Sequence, residues 1–530
     1  MACGGLACIL APVVAAMRPD LALPKQKLIL IAAQYGCLLP AILIALWATR
    51  GAVRSRREGT AAPRFRVIAA LYLLLVVPLA LLLHPGVYSA DESTYLFQAR
   101  CLRAGELYAQ APGLLDSEVH FTHHLIADGK WFGKYPFAWP ALLALSGFLH
   151  LDGLINPLLG LLVLWLSHRL AERVFSSEEA WCGSLLLACS PFFTLNCLGY
   201  MSHVACGAAV ATATLCCFRA VDSQGARWIA LTGACVAAAT LIRPYTGLCV
   251  AIALGGVLLA GLRRRIPALA AGAAAILPIL AVTGWILGAT NQALTGSFTR
   301  SAYAAYHGVS VPVEISASPA VLARVLLRTT PIRLADTMIA GFAFVFPLAA
   351  CALWFRRRSW RVWALAVVFA ALVLGHVVQQ EDSDSPIGER YYWEGFFAVS
   401  ILAGVGWAEL EKRAQWSAAL RRSAIGWTVV ATAAAMVFFG KGQWQFRWRY
   451  REIARAADAA PVRSGVVFLE PSRDYFPVLY NPNRPGGKLL FIPDPGKDKR
   501  ARIAAKAGAQ RWTTLTYSNA TNRAQWTAPQ

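Results

Sequence analysis

About twelve apolar stretches, each close to the roughly 20 residues needed to cross a bilayer, punctuate this chain. They fall near 28–48, 67–83, 153–168, 179–197, 201–218, 228–242, 244–262, 266–288, 337–355, 361–379, 392–408 and 424–440. A soluble domain cannot bury so many, whereas a bundle of spanning helices can, because each helix satisfies its own backbone hydrogen bonds in lipid. Only 15% of the 530 residues are charged, well under the roughly one quarter of an ordinary globular protein, and the soluble classes are thereby excluded. The expected fold is an all-α polytopic membrane protein, and a short apolar segment at 3–17 brings the expectation to about 12–13 spans.

Charge orients these spans. Alternation from Leu28 gathers Arg50, Arg54, Arg56, Arg57, Arg64 and Arg66, then Arg169 and Arg173, Arg219 and Arg227, Arg263 to Arg265, Arg356 to Arg358, and Lys412, Arg413, Arg421 and Arg422 on one side. By the positive-inside rule that side is cytoplasmic. The 84–152 loop, the 289–336 loop, the 381–394 segment and the tail after residue 440 then face outward. A net charge of +22 is explained by inner-face arginine opposite anionic lipid, so nucleic acid is not an expected partner. Multi-pass insertion in a cell membrane follows, and the Ala- and Arg-rich composition suits a bacterial inner membrane.

Of the thirteen cysteines, Cys182, Cys189, Cys197, Cys206, Cys216, Cys217, Cys235, Cys249 and Cys351 sit in apolar spans, where a thiol packs as a small hydrophobe. There is no CxxC pair, so neither a disulfide framework nor a structural zinc is expected. The tail changes character: GVVFLE, KLLFIPD and RWTTLTY read as short strands and DKRARIAAKAGA as an amphipathic helix. The expected division is a membrane unit over 1–445 and a small extracytoplasmic α/β domain over 446–530, without a nucleotide fingerprint and with an accessory docking role.

Chemistry is expected in the 84–152 loop. Ser89-Ala90-Asp91-Glu92 fits a capping box that starts a helix at Ala90, with Gly105 ending it. Glu92 either caps that helix or neighbours the reacting group. Asp91 falls in the first turn, where unpaired backbone N–H groups and the helix dipole hold a carboxylate ionised, as a general base requires. Tyr95, Ala99 and Leu102 share a face, as for a helix lying on the bilayer surface. In the Lys134-Tyr135-Pro136 turn the lysine either meets a phosphate or snorkels from an aromatic belt. Arg243 and Arg390 end spans on the outer side, placed to clamp a phosphate or to sit at the interface. His203 and His376, inside spans, read as core residues. His120, His123 and His124 lack a fourth ligand, so no metal and no cofactor is expected. Tyr303, Tyr306, His307 and Glu314 offer acceptor contacts.

ADESTYLFQARCLRAGELY followed by GKWFGKYPFAWPALLAL resembles the first outer loop of the GT-C glycosyltransferases, in the branch of the protein O-mannosyltransferases and the lipid A aminoarabinose transferase. That branch carries an Asp-Glu motif at the acceptor and a Lys-Pro turn at the donor phosphate, although this chain has Lys-Tyr-Pro-Phe where aminoarabinose transferases show Lys-Pro-Pro. The resemblance implies Asp91 as catalytic carboxylate, Glu92 as its neighbour and Lys134 as a donor-phosphate ligand, a role to which Arg243 and Arg390 are added by topology. Tyr95, Tyr135, Tyr303 and His307 are the expected acceptor or sugar contacts. The expected function is transfer of a sugar from a polyprenyl-phosphate donor to an acceptor hydroxyl on protein, lipid or glycan at the outer membrane face. A lipid-linked glycan ligase or polymerase is the alternative, and a transporter, which would bury charge near the bilayer midplane, fits less well.

Overall fold

The computed structural model describes residues 65–84, 86–111, 121–308, 319–342, 344–377, 387–470, 488–518, 521 and 523–530. The expected spans at 3–17 and 28–48, with His120 and Glu314, lie outside the described residues.

Each apolar stretch expected from residue 67 onward falls on helix. In chain order these are α1 (Phe65–Leu83), α2 (Ala90–Arg103), α3 (Ala138–Phe148), α4 (Ile155–Val174), α5 (Ser177–Cys189), α6 (Pro191–Asn196), α7 (His203–Ser223), α8 (Ala226–Ile242), α9 (Pro244–Leu262), α10 (Ile266–Thr295), α11 (Ala302–Tyr306), α12 (Pro319–Arg324), α13 (Thr330–Ala340), α14 (Val345–Phe355), α15 (Trp360–Gly375), α16 (Phe396–Arg413) and α17 (Ala418–Asp458). By length and composition α1, α7, α9 and α10 are each able to cross a bilayer unaided, while α3, α8 and α15 are shorter apolar helices. Lipid exposure separates them further. On α10, Ile266, Leu277 and Trp285 are exposed, whereas α7 is buried nearly all round and runs through the centre of the bundle.

Two expected spans are broken. The 179–197 stretch is divided because Ser190 leaves the helix, caps the next one through its hydroxyl, and is followed by Pro191 at the first helical position. The 337–355 stretch splits into α13 and α14 around Phe342, which adopts φ 83°.

The basic connections meet at one end of the bundle. Arg173 and Arg361 share Asp222 at 3.2 and 3.3 Å, Arg356 pairs with Glu179 and with Glu409 at 2.9 Å, and Arg421 joins Glu178 at 2.9 Å to Glu411 at 3.3 Å. Residues that the alternation put on one side therefore bind one another in space.

At the opposite end the 84–152 region is less loop-like than expected. It holds α2, α3 and a small antiparallel sheet of β1 (Ala109–Gln110), β2 (His124–Ala127) and β3 (Lys130–Gly133) in the order β1-β3-β2. The C-terminal sheet comprises β4 (Ser464–Glu470), β5 (Lys488–Pro493), β6 (Trp512–Ser518) and β7 (Arg523–Trp526), with helix α18 (Lys497–Lys506) between β5 and β6. Its order is β5-β4-β6-β7, parallel except for the last pair. The strands and helix expected from the tail are all present, but α17 continues past residue 445 to Asp458, so the α/β unit starts later than the expected 446.

Central strand β4 is buried on both faces by simple alternation. Val466 and Phe468 share a core with Ile503 and Ala504 of α18 and with Phe97, Phe121 and Trp131 of the 84–152 region. Val467 and Leu469 face the other way, into the core that contains Ile453 and Ala457 of α17. The C-terminal unit is thus built into the wall behind α2. Among the described residues no two cysteines form a disulfide with each other.

Candidate active site

Helix α2 begins as its sequence predicts, with the Ser89 hydroxyl accepting from Glu92 N at 3.3 Å, and Gly105 at φ 81° follows its last turn. Its environment differs from the expectation of a helix on the bilayer surface. Asp91, Glu92, Ser93, Thr94, Tyr95, Phe97, Gln98 and Ala99 are all buried, because α3, the small sheet and the C-terminal unit enclose it.

The two acidic neighbours point apart. Glu92 accepts from Tyr88 N at 2.7 Å and Tyr200 N at 2.9 Å and from both Nη atoms of the Arg447 guanidinium, at 3.0 and 3.1 Å. This bidentate pair ties α2 to α17 and the 198–201 turn. Gly199 sits so close to the Glu92 and Arg447 side chains that a Cβ there would collide with both. Glu92 does not line the cavity described below, and its carboxylate reaches Tyr88 rather than the Ser89 amide of a strict capping box.

Asp91 faces the other way. Its Oδ2 lies 2.5 Å from Arg390 Nη1, and its Oδ1 accepts from the Tyr135 hydroxyl and lies 3.2 Å from His123 Nδ1. Burial pushes the Asp91 carboxyl up, but Arg390, with His123 and Tyr135, more than reverses that and holds it well below the usual carboxylate range.

A tight hairpin supplies two of these groups. Asp128 (φ 51°) and Gly129 (φ 73°) both take positive φ, the type I′ turn that matches strand twist, and β2 pairs with β3 through Leu125↔Phe132 and Ile126↔Trp131. One step beyond the last ladder pair, Lys134 N donates to His123 O at 3.0 Å, so the hairpin delivers His123 and Lys134 side by side. His123 is itself at φ 65°, a strained setting for a non-glycine residue. Lys134 is buried, with Nζ 5.0 Å from the Tyr303 ring centre, 4.7 Å from Tyr306 and 5.4 Å from Tyr135.

The break between α8 and α9 places Arg243. Its Nε lies 2.9 Å from Glu394 Oε1 and its Nη1 donates to Ser202 Oγ at 3.1 Å, which in turn meets the Tyr95 hydroxyl at 3.0 Å. His203 Nδ1 shares the same Glu394 oxygen at 2.9 Å.

Many of these side chains line one cavity of ≈ 470 Å³. Asp91, Tyr95, Lys134, Tyr135, Arg243, Tyr303, His307 and Arg390 line it, whereas Glu92 and Tyr306, also singled out from sequence, do not. His123, His203, Tyr391 and Asn291 line it as well and were not foreseen. The Asp-Gly pair at 128–129 signalled the hairpin that aims His123, and an ionisable His203 at the head of an apolar span was itself a pointer. The imidazoles of His123 and His124 diverge, His124 turning to Thr94 Oγ1 at 3.1 Å and the Phe97 ring. Among the described residues no three His, Cys, Asp or Glu side chains converge as a metal site.

A family model described as dolichyl-phosphate-mannose-protein mannosyltransferase matches residues 140–285, a segment that includes His203 and Arg243 and follows Asp91 and Lys134. No curated protein sequence matches the chain. Among solved structures, ArnT from Cupriavidus metallidurans in the apo state aligns with a TM-score of 0.56 at 14% identity, over 86% of this chain and 94% of that one. The same protein bound to undecaprenyl phosphate aligns with a TM-score of 0.55 at 14% identity, over 85% and 93%. The oligosaccharyltransferase of Archaeoglobus fulgidus in its apo form aligns with a TM-score of 0.50 at 13% identity, over 85% of this chain and 69% of that one. With this architecture along most of its length and that family signature across its early spans, the chain has the fold of these membrane proteins, ArnT and the archaeal oligosaccharyltransferase.

Proposed function

We propose that this protein transfers a sugar from a polyprenyl-phosphate carrier to an acceptor hydroxyl at the outer face of a bacterial inner membrane, with Asp91 as general base. The observation that carries this reading is a single buried carboxylate, Asp91, kept ionised in a cavity whose other charged lining groups include Lys134, Arg243 and Arg390. A base for the acceptor and cations for a phosphate leaving group face one space. The similar ArnT was solved with undecaprenyl phosphate bound, which supports the choice of carrier.

In the reaction, the acceptor oxygen attacks the anomeric carbon in line while Asp91 takes its proton. The bond from that carbon to the phosphate oxygen breaks, and the electron pair leaves on the phosphate. In-line attack inverts the anomeric centre. Lys134 and the arginines stabilise the charge that develops on the departing phosphate, where a water-poor site strengthens each contact. Arg390 acquires a second role. While it is paired with Asp91 it weakens that carboxylate as a base, and a donor phosphate competing for the guanidinium releases Asp91 as the substrate arrives. Glu92 is a structural anchor of the base rather than a reacting group.

Reconstituted protein should release undecaprenyl phosphate from an undecaprenyl-phosphate sugar only when an acceptor is present, and a deletion strain should accumulate one lipid-linked sugar while losing one surface modification. Accumulation of an unligated glycan polymer instead would point to a ligase. Orientation is tested separately: in cysteine-free protein, Glu106→Cys and Lys499→Cys should react with an impermeant maleimide from outside and Arg264→Cys should be protected. The reverse pattern would place the cavity on the cytoplasmic side.

A further inference from the structure

The cavity has a second polar wall that the transfer step does not use. His203 lines it while only 1% exposed. Its Nδ1 lies 2.9 Å from Glu394 Oε1, and Glu394 does not line the cavity but sits behind the ring, with Arg243 Nε also 2.9 Å from that oxygen. A carboxylate only accepts hydrogen bonds, so Nδ1 carries the hydrogen. The Glu394 charge is balanced by Arg243, so the imidazole stays neutral and its Nε2 presents a lone pair. That Nε2 is buried and has no hydrogen-bond partner among the described residues. Buried acceptors are seldom left unpaired, since each costs free energy until a donor meets it. With Nδ1 fixed to the residue behind, Nε2 is directed at the cavity, and the Tyr391 ring, edge-on at 5.9 Å, keeps the imidazole in place.

We infer that His203, oriented by Glu394, recognises a hydroxyl of the transferred sugar by accepting its hydrogen at Nε2, and so selects which sugar the cavity takes. The inference rests on the donor reading above and assigns a specificity role, not a step in bond making. Asp91 and Lys134 handle groups that do not vary with the sugar, the proton of the acceptor and the phosphate of the donor. A hydroxyl on the sugar ring differs between donors, and an oriented acceptor paired with only one of them discriminates.

The test is equilibrium binding of the full-length protein in detergent to undecaprenyl phosphate, to undecaprenyl phosphate bearing mannose, glucose, galactose or arabinose, and to the monodeoxy analogues of the preferred sugar. Wild-type protein should bind one sugar-bearing lipid about tenfold more tightly than the bare carrier, the scale of one hydrogen bond to a buried acceptor, and lose that gain with one deoxy analogue. His203→Asn keeps an N–H for Glu394 and removes Nε2. It should bind the bare carrier as wild type does and bind the preferred sugar and its deoxy analogue alike. His203→Gln, whose amide reaches the Nε2 position, should recover part of the preference. Retained discrimination in a His203→Asn protein of unchanged melting temperature overturns the assignment, as does equal loss of bare carrier and sugar in both variants, or a wild type that prefers no sugar. A wild type that does not bind the bare carrier overturns the donor reading itself, and this inference with it.

Discussion

Arginine meets carboxylate at both ends of the helix bundle, but burial gives the pairs different consequences. At the basic end the side chains of Arg173 and Arg361 are 38% exposed and that of their shared Asp222 23%, so water screens the pairing and supplies alternatives to it. At the cavity end the side chains of Asp91, Glu92 and Glu394 are 6%, 1% and 0% exposed. There a charge without its partner has nowhere to go. The exposed Asp222 pairs tolerate loss of a partner, whereas Glu179 and Glu411 at the same end are as buried as the cavity carboxylates. The cavity end depends on each pair separately, and those buried pairs diverge again, Glu92 being tied to Arg447 away from the cavity and Asp91 facing into it.

Exchange of Asp91 for Asn tests that last divergence most severely. The amide keeps the size of the side chain and removes the proton acceptor, so transfer should fall by about 10²–10⁴-fold at matched expression, with bare undecaprenyl phosphate still bound. Near-normal transfer by Asp91→Asn would remove general-base catalysis from this cavity.

Glu92 should fail differently. Arg447→Ala strands a fully buried carboxylate, and loss of one member of such a pair costs about 3–5 kcal/mol, so the melting temperature in detergent should drop sharply and activity should follow the folded fraction. If instead the protein melts as wild type does but cannot transfer sugar, Glu92 belongs to the chemistry and its separation from Asp91 is wrong.

The phosphate ligands come next in size. A charge-assisted contact is worth on the order of 1.5–3 kcal/mol, so Lys134→Ala should weaken donor use roughly ten- to hundredfold without unfolding the protein. Titrated protein with unaltered donor dependence would exclude Lys134 from the phosphate site. Arg390 adds a pH signature. Because Asp91 titrates below the usual carboxylate range, the stability its ionised form contributes is complete above that range and is lost only as pH falls through the depressed native value. In Arg390→Gln the burial of Asp91 is no longer offset, its carboxyl moves up, and the acid limb of the transfer rate should shift to higher pH. An unmoved acid limb would mean that His123 and Tyr135 suffice to keep Asp91 ionised.

Sequence carried the bundle well because spanning helices are written as uninterrupted apolar length, a local property. It brought Asp91, Lys134, Arg243 and Arg390 to one cavity for a similar reason: polar residues at span ends on one side converge once the helices pack. What it could not give is direction. Asp91 and Glu92 are adjacent and chemically alike, and it is Arg447, more than three hundred residues later, that with the Tyr88 and Tyr200 amides draws Glu92 away from the cavity. The environment of α2 was misread because the residues that cover it, Val466 and Phe468 among them, lie in a distant domain whose docking leaves no mark on the local pattern. His203 was read as core because a buried imidazole in an apolar span has that meaning until its second nitrogen is found without a partner.

The smallest effect is expected at the basic end, and it is the control that gives the others meaning. Asp222→Asn removes the carboxylate shared by Arg173 and Arg361, two contacts of 3.2 and 3.3 Å. Half-exposed pairs of this kind contribute about 0–1 kcal/mol, since water replaces the partner and the long side chains regain their freedom. Melting should therefore shift by no more than a few degrees and transfer should be unchanged, while the orientation survives because the arginines that determine it are still present. The same substitution read in high salt should show even less, as screening has already weakened the pair. A fall in stability comparable to that of Arg447→Ala would show that burial is not what separates the two ends of this protein.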